Sequence, residues 1–164
     1  MAKRQVFYSF HYDNDVMRVQ LVRNMGVIDG NAPASANDWE SVKKQGAKAI
    51  QTWIDNAMKN RSCVIVLVGS ETANRKWVKY EIQKAWEDGK GLLGIYIHNL
   101  KDAKTGTCKL GVNPFDSIKV GGKKMSELVK CHNPKSTDAY NDIKANISVW
   151  IETAIAARNY TQAD

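Results

Sequence analysis

A continuous apolar run from Cys63 to Val68 constrains the fold more than any other stretch of the sequence. Its β-branched residues leave no polar side, which predicts a strand covered on both faces, as strands of parallel sheets are. A polar turn around Ser70 follows, and then a helical pattern over residues 75–86. Strand, turn and helix form half of a βαβ unit, and open α/β sheets bind ligands beyond the carboxyl ends of their strands. We therefore expect the chemistry at the Ser70 turn and in the first turns of the following helix.

The rest of the chain continues this alternation of strands and helices. Strands are predicted over residues 5–10, 63–68 and 92–97, with an apolar pair at 27–28 and a short last strand within 114–120. Helices are predicted over residues 16–24, 75–86 and 138–159, and along an apolar stripe between residues 47 and 58. Asp13 or Asp15 is expected to cap the first helix. This order predicts the α/β class, with a flavodoxin-like three-layer αβα fold around a central parallel sheet.

The length of 164 residues predicts a single domain, residues 1–164, with one sizeable core. A less regular basic segment is predicted at about 101–137, and the loop 29–38 is long enough to be functional. No run approaches the ~18 apolar residues of a membrane span, and no signal-peptide pattern opens the sequence. We therefore expect a cytoplasmic protein with no membrane contact. The three cysteines fit no zinc spacing, so no metal site is expected.

The net charge of +7 suggests an anionic partner, which can be nucleic acid, a nucleotide or an acidic surface. The basic residues are widely spread with few aromatic side chains among them, which favours a solvated surface over a nucleic-acid-binding face. Other uses of the fold lack their key residues. The loop after the first strand is too bulky for a flavin phosphate, and Gly69-Ser70 stands where a phospho-receiver needs an Asp. The glycine motif at residues 89–94 follows a helix rather than a strand, so it is no dinucleotide fingerprint.

Trp77 and Glu81 lie one turn apart on the helix that follows the central strand. Both fall to one side of the direction marked by Val78 and Ile82, at the rim of the buried face. An ionised carboxylate held there can hydrogen-bond ribose hydroxyls or stabilise an oxocarbenium-like centre, and an indole can stack on a base or a cationic ring. By spacing alone, the commoner interpretation is a core Trp and a solvated Glu.

Two stretches, residues 3–13 and 69–85, resemble the TIR-like domain family, and most closely the TIR-like (ThsB-type) subunit of the Thoeris anti-phage defence system. The shared features are a first strand that ends in Ser-Phe before an acidic loop, and the W-x-x-x-E element of Trp77 and Glu81. The resemblance implies a flavodoxin-like fold and NAD⁺ as substrate, with no cofactor besides. It implies that Glu81 is catalytic and cleaves the nicotinamide–ribose bond. It also implies a substrate pocket lined by side chains of the first loop, the Ser70 turn and the helix: Phe10, His11, Ser70 and Trp77.

In Thoeris-like members of the family the product is a cyclic ADP-ribose isomer that signals to a partner effector protein. The resemblance therefore implies an NAD⁺ glycohydrolase or ADP-ribosyl cyclase-like enzyme whose partner is reached indirectly, through the product. Two alternatives stay open: a non-catalytic TIR-type interaction module and a nucleic-acid binder that uses the positive charge. The sequence also leaves open hydrolysis against cyclisation, the activating trigger and self-association as a homo-oligomer.

Overall fold

A parallel sheet forms the centre of the protein in a computed structural model that describes residues 4–30 and 41–163. Within these residues the sheet has five strands: β1 (Gln5–Ser9), β2 (Asp29–Gly30), β3 (Cys63–Val68), β4 (Gly91–Tyr96) and β7 (Cys131–His132). They are joined in the order β2-β1-β3-β4-β7, and every neighbouring pair is parallel. Two further short strands, β5 (Lys119–Val120) and β6 (Lys123–Lys124), form a separate antiparallel hairpin. The predicted α/β class with a central parallel sheet is confirmed.

Helices cover both faces of the sheet. The described helices are α1 (Tyr12–Arg23), α2 (Ala47–Met58), α3 (Lys76–Glu87) and α4 (Ala139–Ala163), and residues 41–44 are also helical. One apolar layer joins the sheet to α1 and α4, and the other joins it to α2 and α3. Strand β3 supplies side chains to each layer in turn, Ile65 to the first and Val66 to the second. All six residues of β3 are buried, which is the physical reason for its uniformly apolar sequence.

The strand register brings one set of strand ends to a common edge. Ser9 at the end of β1 pairs with Val66, and Val68 at the end of β3 pairs with Tyr96. The pairing continues one step further, because the Ile97 amide donates to the Val68 carbonyl at 2.9 Å. The loops that follow β1, β3 and β4 therefore lie at the same edge, where ligand sites of open α/β sheets form.

The last strand of the sheet is not where the sequence pattern predicted it. Residues 114–120 form a 3₁₀ turn (Pro114–Ser117) and then β5, which pairs only with β6. The fifth strand of the sheet is β7, inside the stretch predicted to be irregular. Its pairing depends on Gly94, where an added Cβ would lie 2.7 Å from the Cys131 sulfur. Phe115 is apolar because it is fully buried in the α2/α3 layer, which explains why its segment resembled a strand.

Smaller differences concern where the elements begin. Helix α1 begins at Tyr12, and His11 stands at its N-cap without a side-chain cap, so the prediction that Asp13 or Asp15 caps it is wrong. The apolar pair at 27–28 precedes β2 instead of forming it. Helix α4 begins one residue later than predicted and extends to Ala163. The loop 29–38 lies outside the described residues beyond Gly30. Of the helices described, none combines the length and the apolar character that crossing a membrane requires.

Candidate active site

Glu81 lies in the second turn of α3, the helix that begins beyond the carboxyl end of β3. Its neighbours Val78 and Ile82 anchor the helix in the α2/α3 layer. Trp77 is half-buried, as its rim position predicts, but the Glu81 residue is only 8% exposed. The candidate carboxyl group is therefore deeper in the protein than helical spacing alone indicated.

The Glu81 carboxyl group has one hydrogen-bond partner in the described part of the chain, the side chain of Ser9. The Ser9 hydroxyl donates to Glu81 Oε1 at 2.7 Å across 72 residues of sequence. Ser9 is fully buried as the last residue of β1. Because side chains alternate along a strand, Ser9 lies on the same face as Phe7, toward α3. No basic side chain among residues 4–30 and 41–163 forms an ion pair with Glu81.

Burial changes the pKa of the Glu81 carboxyl group. Removal from water disfavours the charged form and raises the pKa of Glu81 to about 8, although the hydrogen bond from Ser9 acts in the opposite direction. Burial therefore favours the protonated carboxyl group in the free protein, which differs from the ionised group expected from the sequence. A positive charge brought beside it would favour the carboxylate.

Trp77 precedes Glu81 by one helical turn and has an aromatic and a cationic neighbour. Its ring meets the edge of Tyr80 at a centroid distance of 5.7 Å. The Lys76 ammonium lies 5.0 Å from the centroid of the Trp77 ring. This is a cation–π contact, so the indole offers a face that attracts positive charge.

Phe10 and His11 follow β1 at the same edge of the sheet. Phe10 packs against the α1/α4 layer and stacks on Tyr12, with ring centroids 6.3 Å apart. His11 is buried, and its Nδ1 has no hydrogen-bond partner among the described residues. Burial, assisted by the positive charge of Arg75, lowers the pKa of His11, which favours a neutral imidazole.

The turn at Ser70 is held by close contacts with glycine. The Gly69 amide donates to Thr72 Oγ1 at 2.8 Å. A Cβ at Gly69 would lie 2.1 Å from an Asp15 carboxylate oxygen, and a Cβ at Gly111 would lie 2.0 Å from the Gly69 carbonyl oxygen. Ser70 itself is half-buried. At Gly111 the close atoms belong to the backbone, so only glycine fits there and the loop 107–113 packs directly on the turn.

The structure thus brings the predicted residues to one edge of the sheet. Among the residues that it describes, Glu81 is the only one of them whose side chain forms a hydrogen bond with another polar side chain. That partner, Ser9, was missed as a site residue. The available signal was a hydroxyl that interrupts the apolar strand β1 at its carboxyl end. In the part of the chain that the structure describes, no three His, Cys, Asp or Glu side chains cluster closely enough to hold a metal ion.

Comparison with known proteins identifies the family. Residues 7–102, more than half of the chain, match the family described as "Thoeris protein ThsB, TIR-like domain". The chain belongs to this ThsB TIR-like family. The matched segment contains Ser9, Trp77 and Glu81, so the resemblance found in the first loop and the W-x-x-x-E element is confirmed at the level of the family.

A curated relative in Bacillus cereus (strain MSX-D12) carries the name "Putative cyclic ADP-D-ribose synthase ThsB1". It is 43% identical to this chain over 123 residues, which cover 72% of this chain and 64% of the relative. The matched region is therefore less than two thirds of the length of that relative.

Proposed function

We propose that this protein is a TIR-like NAD⁺-processing enzyme that cleaves the nicotinamide–ribose bond, with Glu81 as the catalytic carboxylate. The observation that carries the proposal is a buried carboxyl group without a cationic partner in the described chain, beyond the carboxyl ends of the strands. Membership of the ThsB TIR-like family and the name of the Bacillus cereus relative support it.

The chemistry requires a group that stabilises positive charge. In NAD⁺ the bond between ribose C1′ and the pyridinium nitrogen breaks, and its electron pair leaves with neutral nicotinamide. The ribose carbon becomes oxocarbenium-like, and a carboxylate beside it lowers the energy of this state, as in glycoside cleavage. Capture by water gives ADP-ribose and a proton, whereas capture by a nucleophilic atom of the adenosine end gives a cyclic product and a proton.

The other predicted residues have binding roles in this proposal. The Trp77 indole stacks on the nicotinamide ring, since an aromatic face attracts a cationic ring. The side chains of the loops after β1 and β3, from Phe10, His11 and Ser70, line the rest of the substrate pocket. The product is a cyclic ADP-ribose-type signal that acts on a partner effector protein in anti-phage defence, and self-association as a homo-oligomer belongs to the same proposal.

The deciding experiment measures nicotinamide release from NAD⁺ by the purified protein, with mass spectrometry of the second product. Glu81→Gln is expected to lower turnover about 100-fold or more, because it removes the negative charge that stabilises the oxocarbenium-like ribose carbon. Glu152→Gln is the matched control, since Glu152 is an exposed residue of α4 that pairs with Arg4. It is expected to keep wild-type turnover. The mass of the second product separates ADP-ribose from a cyclic isomer.

The assay is repeated in bacterial cells that express the protein during phage challenge, so that infection supplies any activating trigger. Loss of cellular NAD⁺ or appearance of the cyclic product should depend on Glu81. Protection against phage that survives Glu81→Gln, with no nicotinamide release in either setting, would contradict the enzyme and favour the non-catalytic interaction module.

A further inference from the structure

We propose that Ser9 is a positioning residue for Glu81: its hydroxyl fixes one carboxylate oxygen and stabilises the ionised state that a positively charged substrate requires. The catalytic consequence rests on the proposed function. The coupling between the two side chains is a property of the folded protein alone and is measurable without turnover.

Burial and strand pairing restrict the position of the Ser9 side chain. It is fully buried, and its backbone is held in the sheet opposite Val66. The hydroxyl is within 2.7 Å of Glu81 Oε1. Oε1 is engaged by Ser9, whereas no hydrogen bond from a described residue reaches Oε2. A group held on the scaffold of a strand and a helix is oriented more accurately than one held on loops.

The electrostatic surroundings make this one hydrogen bond decisive. Helix α3 packs against β1, β3 and β4. Among the described residues, no charged or titratable side chain acts on the Glu81 carboxyl group, and its one polar partner is the neutral hydroxyl of Ser9. Arg75, Asp13, Asp15 and Glu71 act electrostatically on His11, and none of them acts on Glu81. A hydroxyl that donates to a carboxylate favours its charged form.

Two consequences follow for the bound state. The positive pyridinium ring of the substrate becomes the missing counter-charge of Glu81, so binding releases a proton from the protein when the pH is below the pKa of the free carboxyl group. Without the Ser9 hydroxyl, that release becomes harder, and activity moves to higher pH.

The test is a ¹³C-carboxyl NMR titration of the full chain labelled in Glu, with the Glu81 signal assigned by its loss in Glu81→Gln. Ser9→Ala is expected to raise the pKa of Glu81 by about one unit, and Ser9→Thr, which keeps the hydroxyl, should stay near wild type. Ser62→Ala is the matched control, because the Ser62 hydroxyl donates to Gln5 at the opposite end of the strands. If Ser9→Ala does not fold, Ser9→Cys provides a weaker donor of similar shape and should raise the pKa in the same direction.

A Glu81 pKa that Ser9→Ala or Ser9→Cys leaves unchanged would overturn the proposal. A kinetic experiment compares the pH profiles of kcat/KM. In Ser9→Ala the acidic limb of the profile should move to higher pH, and activity should approach that of the wild type at pH 9. An equal loss at every pH would show a merely structural role for Ser9. If Ser9→Ala shifts the pKa of Glu81 but the protein never releases nicotinamide, the proposed function is contradicted and the coupling between Ser9 and Glu81 is supported. The two failures are therefore distinguishable.

Discussion

Two buried carboxyl groups near the same edge of the sheet differ in their partners, since one is paired with a guanidinium group and the other with a hydroxyl group. Asp15 on α1 is fully buried and lies 3.0 Å from the Arg18 guanidinium, which is itself almost completely buried. Glu81 on α3 is nearly as buried, and its one hydrogen-bond partner among residues 4–30 and 41–163 is the neutral hydroxyl of Ser9. Burial raises the pKa of both groups, but at Asp15 the charge and hydrogen bond of Arg18 counteract it. A buried acid whose counter-charge is inside the chain is a structural element, whereas one that lacks it is a candidate for binding a cationic ligand.

Arg18 does more than neutralise Asp15. Its guanidinium donates to the carbonyl of Leu100 at 3.0 Å and to that of Gly106 at 2.8 Å. These bonds attach the loop after β4 to α1, and Gly111 of the same loop packs on the Gly69 carbonyl. Arg18 therefore connects α1 to the loop that packs on the Ser70 turn.

The largest effect on stability is expected at the buried ion pair between Asp15 and Arg18. Arg18→Met should lower the free energy of unfolding by about 3–5 kcal/mol, because it leaves Asp15 as a buried charge without a partner. Urea denaturation at pH 7 measures this, with Arg4→Met as the control at an exposed pair. A loss below about 1 kcal/mol would mean that Asp15 needs no internal counter-charge, and the contrast with Glu81 would disappear.

Substitution of Glu81, which lacks a cationic partner among the described residues, should raise the free energy of unfolding instead of lowering it. The folded pKa of Glu81 is raised from 4.5 to about 8, so ionisation costs stability as the pH rises from the unfolded pKa through the folded pKa. Glu81→Gln removes this cost, so its stability relative to wild type should increase by several kcal/mol between pH 4 and pH 9, at about 1.4 kcal/mol for each unit by which the pKa is raised.

Denaturation curves of both proteins at several pH values test this second prediction. Comparing the two ends of the range removes any pH-independent effect of the substitution on packing. A difference that stays constant from pH 4 to pH 9 would show that Glu81 titrates normally. Gain of stability together with loss of turnover would be the stability–activity trade-off of an active-site residue.

The contact between the two regions gives a smaller effect. Gly111→Ala should lower the free energy of unfolding by about 1–2 kcal/mol, because its methyl group would meet the Gly69 carbonyl and push the loop 107–113 away from the Ser70 turn. Val112→Ala is the neighbouring control, since Val112 is 66% exposed and should change stability by less than about 0.5 kcal/mol. Equal stability of the two variants would show that the loop does not support the turn.

The smallest effect is expected at the rim of the candidate site. Lys76→Ala should lower the free energy of unfolding by no more than about 1 kcal/mol, because it removes only an exposed cation–π contact with Trp77. Thermal denaturation beside Lys48→Ala, an exposed lysine of α2, measures this difference. A loss of several kcal/mol would show that Lys76 has a structural role beyond Trp77.

Patterns within one element were enough to predict the core of the fold. The uniformly apolar run of β3 predicted a strand buried on both faces, and the helix after it placed Trp77 and Glu81 one turn apart. The two-residue strand β7 was beyond such reasoning, because a strand that short carries no period, and its pairing depends on Gly94 37 residues before Cys131.

The chemical character of the site was decided by tertiary structure. The amino-acid sequence by itself determined the order of strands and helices and the presence of a carboxyl group near the ligand-binding edge, because side-chain period and strand–turn–helix order are local. It did not determine that Glu81 is buried beside Ser9 while Asp15 is paired with Arg18. Burial and charge pairing depend on which elements pack together, and only the packed chain sets the pKa of a carboxyl group.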